Sequence, residues 1–246
     1  MDKRQNLELI ADISNANGAP GFEDDVVAQI RRHAEGLGEL REDSLRNFYI
    51  YRKENKGNRP VVQLDGHSDE VAFMVQAIRP DGNLRIIPLG GWVTSNVPAH
   101  KVWVRNALGE YIPGIVASKP PHYMTEAERK APLVFENITV DVGAVSKEEA
   151  ENEFHIRIGE PVVPDVTFTY DEKHDLMVGK SFDCRLGCAS IVSTLRELQG
   201  EELAVDVVGA CCSQEEVGTR GSQVTCRTVN PDIAIVFEGC PADDTC

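Results

Sequence analysis

Val61-Val62-Gln63-Leu64-Asp65-Gly66-His67-Ser68-Asp69-Glu70 opens with a short β-rich run that leads straight into a histidine and two carboxylates. The same order, a buried strand and then an acidic residue, is expected three more times. It returns at Asp183, at Glu215-Glu216 after the apolar run Leu203 to Ala210, and at Glu238 after Asp232 to Phe237. In an α/β sheet, ligands collect at the ends of strands. One imidazole and several carboxylates brought together there make a site for one or two divalent metals.

Outward from residue 61, the pattern is helix, helix, then strands. Leu7, Ile10, Ala11 and Ile13 sit at helical spacing and end at Asn17-Gly18, and Gly18-Ala19-Pro20-Gly21 is a turn. A second helix is expected from about Glu23 to Ala34, followed by strands at Leu40 to Asp43 and Phe48 to Tyr51. The next hundred residues read as a compact β-rich module. Val71 to Ile78 and Leu84 to Leu89 flank an Asp81-Gly82 hairpin turn. Further strands are expected at Lys101 to Val104, Tyr111 to Val116 and Val162 to Thr169. Ser146 and Glu149 form a capping box for a short helix, Lys147 to Glu153. From Ser181 the α/β pattern resumes: a helix marked by Ile191, Leu195 and Leu198, the strand to Ala210, a helix after Glu216, and the strand to Phe237. The expected division is an α/β domain of residues 1–70 and 166–246, interrupted by a β-rich domain of residues 71–165.

Composition narrows the function. The 246 residues carry a formal charge of −15 and are 41% apolar. Such a surface repels phosphate backbones, so nucleic acid is not an expected partner. No segment is long and apolar enough to cross a membrane. The opening Met1-Asp2-Lys3-Arg4-Gln5-Asn6 lacks the apolar middle of a secretory signal, so a cytoplasmic location is expected. All seven cysteines lie between Cys184 and Cys246, which reads as reduced thiols rather than a disulfide framework. Cys211-Cys212, after an apolar run, are expected to be buried.

Each candidate residue also has a plainer role. His67 and Asp69 are two apart, so in extended chain their side chains share a face, and the carboxylate can orient the imidazole as a ligand. Adjacent Glu215 and Glu216 repel unless a cation is near, which suits a metal ligand beside a proton shuttle, although a solvated loop carries such pairs too. Asp183, before a helix, either caps it or bridges two metals. Glu238 is either a ligand or a solvated edge residue.

Taken together, the motifs resemble those of the M42 family of dinuclear metallo-aminopeptidases, which includes glutamyl and deblocking aminopeptidases and members labelled endoglucanase. The matching stretches are Gly66-His67-Ser68-Asp69-Glu70-Val71, Asp81-Gly82, Gly90-Gly91-Trp92, Pro120-Pro121-His122 and Asp141-Val142-Gly143-Ala144. They continue with Phe182-Asp183-Cys184-Arg185-Leu186-Gly187, Glu215-Glu216-Val217-Gly218-Thr219-Arg220-Gly221 and Glu238-Gly239-Cys240-Pro241-Ala242-Asp243-Asp244-Thr245. The resemblance implies a zinc-peptidase-like three-layer α/β/α domain interrupted by a barrel-like dimerisation domain. It implies that His67 and Glu238 bind one metal, Glu216 the second, and Asp183 both, with Asp69 orienting His67 and Glu215 as general base and acid. The implied cofactors are two divalent ions, zinc or cobalt, with manganese also suited. The implied partners are peptides with a free N-terminus and further copies of the chain, in a homo-oligomer built from dimers.

Three departures stand against the family pattern. Family members continue for roughly a hundred residues beyond Cys246 and there carry a histidine for the second metal, so the chain is expected to be a fragment or truncated product. Glu238 stands where Asp is more usual. Cys184 follows the bridging Asp183 where Asp or Asn is more usual, and a thiol there alters the hydrogen bonding behind the ligands. Two other functions compete: a non-catalytic, oligomer-forming remnant, and a glycan hydrolase using two carboxylates. The latter leaves His67 and Asp183 without a role, and 6% aromatic residues offer few platforms for sugars.

Overall fold

The computed structural model describes residues 2–240; the expected motif residues Pro241-Ala242-Asp243-Asp244-Thr245 lie outside the described residues, as does Cys246. The chain forms two compact units, one of Met1–Glu70 with Thr167–Cys246 and one of Val71–Val166.

In chain order, the first unit begins with α1 (Lys3–Asn15), α2 (Asp24–His33), β1 (Gly38–Glu42), β2 (Phe48–Arg52) and β3 (Val61–His67). The second unit holds β4 (Ala72–Ile78), β5 (Leu84–Leu89), β6 (Lys101–Arg105), β7 (Tyr111–Ser118), α3 (Glu126–Lys130), β8 (Ile138–Asp141), α4 (Lys147–Asn152) and β9 (Pro161–Pro164). The first unit then resumes with β10 (Thr169–Asp171), β11 (Leu176–Val178), α5 (Phe182–Glu197), β12 (Asp206–Cys212), α6 (Arg220–Val229) and β13 (Ile233–Val236).

The first unit is built on a five-stranded sheet of order β1-β2-β12-β3-β13. β3 runs parallel to both β12 and β13, while β2 is antiparallel to β12 and to β1. Side chains alternate across the sheet. Leu64, Val207 and Cys211 pack with Leu9, Ile13, Val26, Ile30, Ile191, Val192 and Leu195 of α1, α2 and α5. Gln63, on the opposite face, reaches Thr225 of α6 at 3.1 Å. Helices therefore cover both faces of β3, the three-layer arrangement that the family resemblance implies. α1 starts where Asp2 and Gln5 cap each other reciprocally, and α2 buries Val26, Val27 and Ile30 along one stripe.

The second unit is a closed six-stranded barrel of order β4-β5-β8-β7-β6-β9. Its interior is filled by Phe73, Val75, Leu84, Val102, Val104, Val116, Ile138, Val140 and Val162. Closure pairs every strand on both sides and leaves no open edge.

Several expected elements shift. The strand expected over Val162 to Thr169 is split: β9 ends at Pro164, and Phe168 donates its amide to Asn15 Oδ1 at 2.7 Å before β10 begins. The strand expected from Leu203 starts instead at Asp206, whose carboxylate is taken by the amides of Lys56 and Gly57 at 2.7 and 2.6 Å. Leu203 and Val205 still pack against the core, from a loop. The capping box of α4 is half formed. Ser146 Oγ accepts from the Glu149 amide, but the Glu149 carboxylate turns to the amide of Val145. Most informative is β13, expected to be buried. It lies at the sheet edge beside β3, and Ile233 is 56% and Val236 62% exposed, because no described element covers it. No helix among the described residues is long and apolar enough to cross a membrane.

A buried ionic cluster ties the first unit together. The Arg185 guanidinium donates to the carbonyls of Ser68, Ile13, Ser14, Ala16 and Gly18 and to Glu70 Oε1 at 3.1 Å. Glu70 also accepts from Lys180 Nζ at 3.0 Å and Ser181 Oγ at 2.6 Å. Gly18 must lack a side chain, since a Cβ there would lie 2.8 Å from Arg185 Nη2 and 2.5 Å from Val26 Cγ2. Burial pushes the Glu70 carboxyl up, but Arg185, Lys180 and the Ser181 hydroxyl more than reverse it, so its pKa is lowered. Removing one member of a buried pair strands the others, so Glu70→Ala should destabilise the chain by about 3–5 kcal/mol in urea unfolding at pH 7. Because the folded pKa is depressed, the ionised Glu70 contributes fully above its unfolded value and less as pH falls through the folded one. The stability gap between wild type and Glu70→Gln should therefore narrow from about pH 5 downward.

Candidate metal and catalytic centre

Three parallel strands end at one rim. His67 is the last residue of β3 and pairs with Cys212, the last residue of β12; Val236 of β13 pairs with Asp65. Chain leaving β12 at Ser213 and β13 at Phe237 therefore emerges beside His67, which is why residues 67, 215 and 238 can meet. Asp183 joins them from the start of α5, the helix that follows the β10–β11 hairpin and packs on β3. Gly66 permits this approach: a Cβ there would lie 3.3 Å from the Gly187 backbone.

The His67 imidazole is buried, and three carboxylates approach its Nε2: Asp183 Oδ1 at 3.0 Å, Glu238 Oε1 at 3.7 Å and Glu215 Oε2 at 4.0 Å. On the other side of the ring, Nδ1 lies 3.2 Å from the Asp69 carbonyl oxygen and 3.4 Å from Asp69 Oδ1. Burial favours the neutral imidazole, but hydrogen bonding and charge from Asp69 and Asp183 outweigh it and raise its pKa to about 10. Burial lifts Glu216 to about 7, with the charges of Asp69, Asp183 and Glu215 adding to the effect against the pull of His67. Glu238 is raised by burial and by sharing a proton with Asp183.

Asp183 does not serve as an ordinary cap. Its backbone leaves helical geometry (φ −81°, ψ 112°), α5 is preceded by Ser181 in the left-handed region, and the Asp183 carboxylate faces His67. Glu238 does not end a buried strand, yet its carboxylate turns back towards His67. Glu216 is coupled to the others through charge but is not among the ligand atoms that converge most closely. Those belong to His67, Asp183, Cys184 and Glu238, all within 4.8 Å of one another. Cys184 is the member that the sequence marked only as a departure. Its buried thiol donates to the Phe237 carbonyl at 2.8 Å, and burial raises its pKa to about 12. Glu70, adjacent in sequence to the site residues, is spent on Arg185. Of the other histidines, His33 pairs with Asp12, His174 with Asp171 in the β10–β11 hairpin, and His100, His122 and His155 belong to the barrel unit.

The donor set fits a divalent cation. Burial, with the neighbouring carboxylates adding to it, raises Glu216 and Glu238 towards protonation beside the buried imidazole. A cation at their centre would offset both costs, and mixed nitrogen and oxygen donors suit zinc, cobalt or manganese. A cavity of about 740 Å³ lies elsewhere. Gly38, Arg52, Lys56 and Asp206 line it, at the rim where β12 begins rather than ends. Asp206 is already committed there to backbone amides.

An M42 glutamyl aminopeptidase family model matches residues 47–246. FrvX of Escherichia coli is 36% identical over 97% of this chain and 65% of its own. The glutamyl aminopeptidase of Lactococcus lactis is 30% identical over 97% of this chain and 68% of its own. A TET aminopeptidase from a marine-sediment archaeon of the Thaumarchaeota superposes with a TM-score of 0.92 at 37% identity, covering 98% of this chain and 68% of that one. The fold alone is shared, at 22% identity and a TM-score of 0.84, with a Pyrococcus horikoshii peptidase that assembles into a tetrahedron or a large octahedral shell. A sheet with helices on both faces and a closed barrel inserted into the α/β unit are the fold this chain shares with these peptidases. This chain belongs to the M42 glutamyl aminopeptidase family. It spans about two thirds of the length of the relatives it matches.

The crossing of Phe237–Gly239 over the start of α5 is tight. A Cβ on Gly187 would lie 2.5 Å from Cys184 Sγ and 2.8 Å from Phe237 Cβ. Gly187→Ala should therefore cost about 1–3 kcal/mol in urea unfolding. By pushing Glu238 off Asp183, it should also weaken cobalt binding in calorimetry by about tenfold or more.

Proposed function

We propose that this chain carries most of the active centre of a metal-dependent aminopeptidase that removes N-terminal residues from peptides. The observation that supports it is the meeting of Asp183, Glu215 and Glu238 within 4.0 Å of one buried imidazole nitrogen. His67 and Glu238 would hold one ion, Glu216 the second, and Asp183 would touch both. When bound, the two divalent ions would supply polarisation of the scissile carbonyl and a water of lowered pKa.

The chain's own residues do the rest. Asp69 orients the His67 ring through Nδ1, so that Nε2 faces the carboxylates. Glu215 stands beside the cluster, where it takes the proton of the attacking water and passes it to the leaving amine. The free amino terminus of the peptide is read at the same acidic rim, which makes the enzyme an exopeptidase. The barrel unit serves as the dimerisation domain of a homo-oligomer, and the location is cytoplasmic. The alternative of an inert oligomer-forming remnant makes a different prediction, that the chain assembles but takes up no metal. A glycan hydrolase would act on soluble β-glucan and ignore a chelator.

The protein should release N-terminal residues from short peptides with zinc, cobalt or manganese. Activity should vanish with chelator and return with metal. In that enzyme, Glu215→Gln should lower kcat by about 10²–10⁴-fold with metal content retained, as expected for loss of a general base. Absence of peptide release under all three metals rejects the proposal. Cobalt titration of the present chain separates it from the remnant: His67→Ala should weaken uptake by at least about tenfold.

A further inference from the structure

The loop that carries Glu215 and Glu216 hangs from a row of buried side-chain acceptors. Four consecutive backbone amides each find one. Ser213 N donates to Asn47 Oδ1 at 2.9 Å, and Gln214 N to Glu23 Oε1 at 3.1 Å. Glu215 N donates to Asp69 Oδ1 at 2.9 Å, and Glu216 N to Asp69 Oδ2 at 3.1 Å. Asn47, Glu23 and Asp69 are all fully buried. They come from three separate parts of the first unit: the start of α2, the turn before β2, and the residues after β3. Gln214 itself lies in the left-handed region at φ 53°, a conformation that a non-glycine residue holds only where its surroundings fix it. Beyond it, the Glu215 carbonyl accepts from Gly218 N and Thr219 N, both at 2.8 Å. The backbone of the glutamate pair is thus fixed on both sides.

Glu23 is the member whose presence stability does not account for. It occupies the N-cap position of α2, yet its side chain makes no capping bond. Ser, Thr, Asp or Asn would serve the helix better. Its Oε1 accepts instead from Gly21 N at 2.8 Å and Gln214 N, and its Oε2 is buried without a hydrogen-bond partner. Leaving such an oxygen buried and unpaired costs about 1–3 kcal/mol. Local rules are broken in this way where a site gains from it.

We propose that Glu23 is a positioning residue for the glutamate pair: by holding the Gln214 amide next to the two amides held by Asp69, it fixes the direction in which Glu215 and Glu216 leave the backbone. The inference rests on the roles proposed above for those two glutamates. Glu23 is fully buried, its Oε1 is held by the amides of Gly21 and Gln214, and it acts through the loop. The acceptor oxygen is what matters, so Glu23→Gln, which keeps an oxygen at that place, should rescue what Glu23→Ala loses.

The test uses the present chain, with cobalt as the probe. Amide hydrogen exchange is followed at Gln214, Glu215 and Glu216, with Ile138–Asp141 of the barrel as internal control, and cobalt affinity is measured by calorimetry. In Glu23→Ala, exchange at the three amides should rise by about tenfold or more while the barrel strand is unchanged. Cobalt affinity should fall about 10–100-fold, the range seen when a group supporting a ligand is lost. Glu23→Gln should stay within about threefold of wild type in both measurements. If Glu23→Ala fails to fold, Glu23→Asp, which withdraws the oxygen by one methylene, takes its place with the same expectation. The proposal is overturned if the shortened variant keeps wild-type exchange and cobalt affinity. It is equally overturned if Glu23→Gln loses as much as Glu23→Ala, because burial of charge rather than the acceptor would then be at work. Failure of the wild-type chain to bind cobalt would count against the metal centre itself and would remove the functional part of the inference. The exchange arm would still decide the clamp.

Discussion

One buried guanidinium holds the first unit in register. Arg185 gathers the carbonyls that end α1, the turn after it and the loop after β3, and it is neutralised by Glu70, which Lys180 also contacts. A buried cation with its donors spread over so many separate stretches fixes their relative positions more sharply than apolar packing does, because hydrogen bonds are directional and an unpaired partner is costly. The site depends on this. Ser68 and Glu70 flank Asp69, and Arg185 lies two residues after Asp183. The residues that anchor the frame are thus interleaved in sequence with those that face the rim.

The rim is assembled by strand direction. Since β3, β12 and β13 run parallel, their carboxyl ends are brought together by hydrogen bonding alone, and the loops that follow each of them share one edge of the sheet. Backbone placement brings the carboxylates close, but close carboxylates repel. Burial first, and the neighbouring carboxylates after it, raise Glu216 and Glu238, and a cation would offset both costs. The acceptors Asn47, Glu23 and Asp69 oppose the same repulsion mechanically, since they fix the loop backbone whatever the charge on the side chains.

Much of this is legible in the chain. Apolar periodicity locates the two opening helices, the strand before His67 and the β-rich insertion, because each buries a regular stripe. Strand edges are less legible where side chains compete for the backbone, as at Asp206, or where the chain must return to another unit, as at Phe168. The order of His67, Asp183, Glu215-Glu216 and Glu238 marks a site through its motifs. Glu23 and Asn47 give no such signal, and Arg185 lies in a motif without its own role being marked. A glutamate before a helix reads as a cap and an arginine in a helix as a solvated charge, and only contacts across the fold reveal them as buried acceptors and anchor.

By itself, the sequence determined the class of fold and the family, since periodicity and motif order are local properties written residue by residue. Only the tertiary structure decided that β13 is an exposed edge, that Cys184 joins the ligand group, that Glu70 serves the frame, and that Asp69, expected beside His67, also holds the amides of Glu215 and Glu216. Those are pairings between residues up to about 150 positions apart, and which partner satisfies a buried polar group is settled only when the surrounding elements have packed.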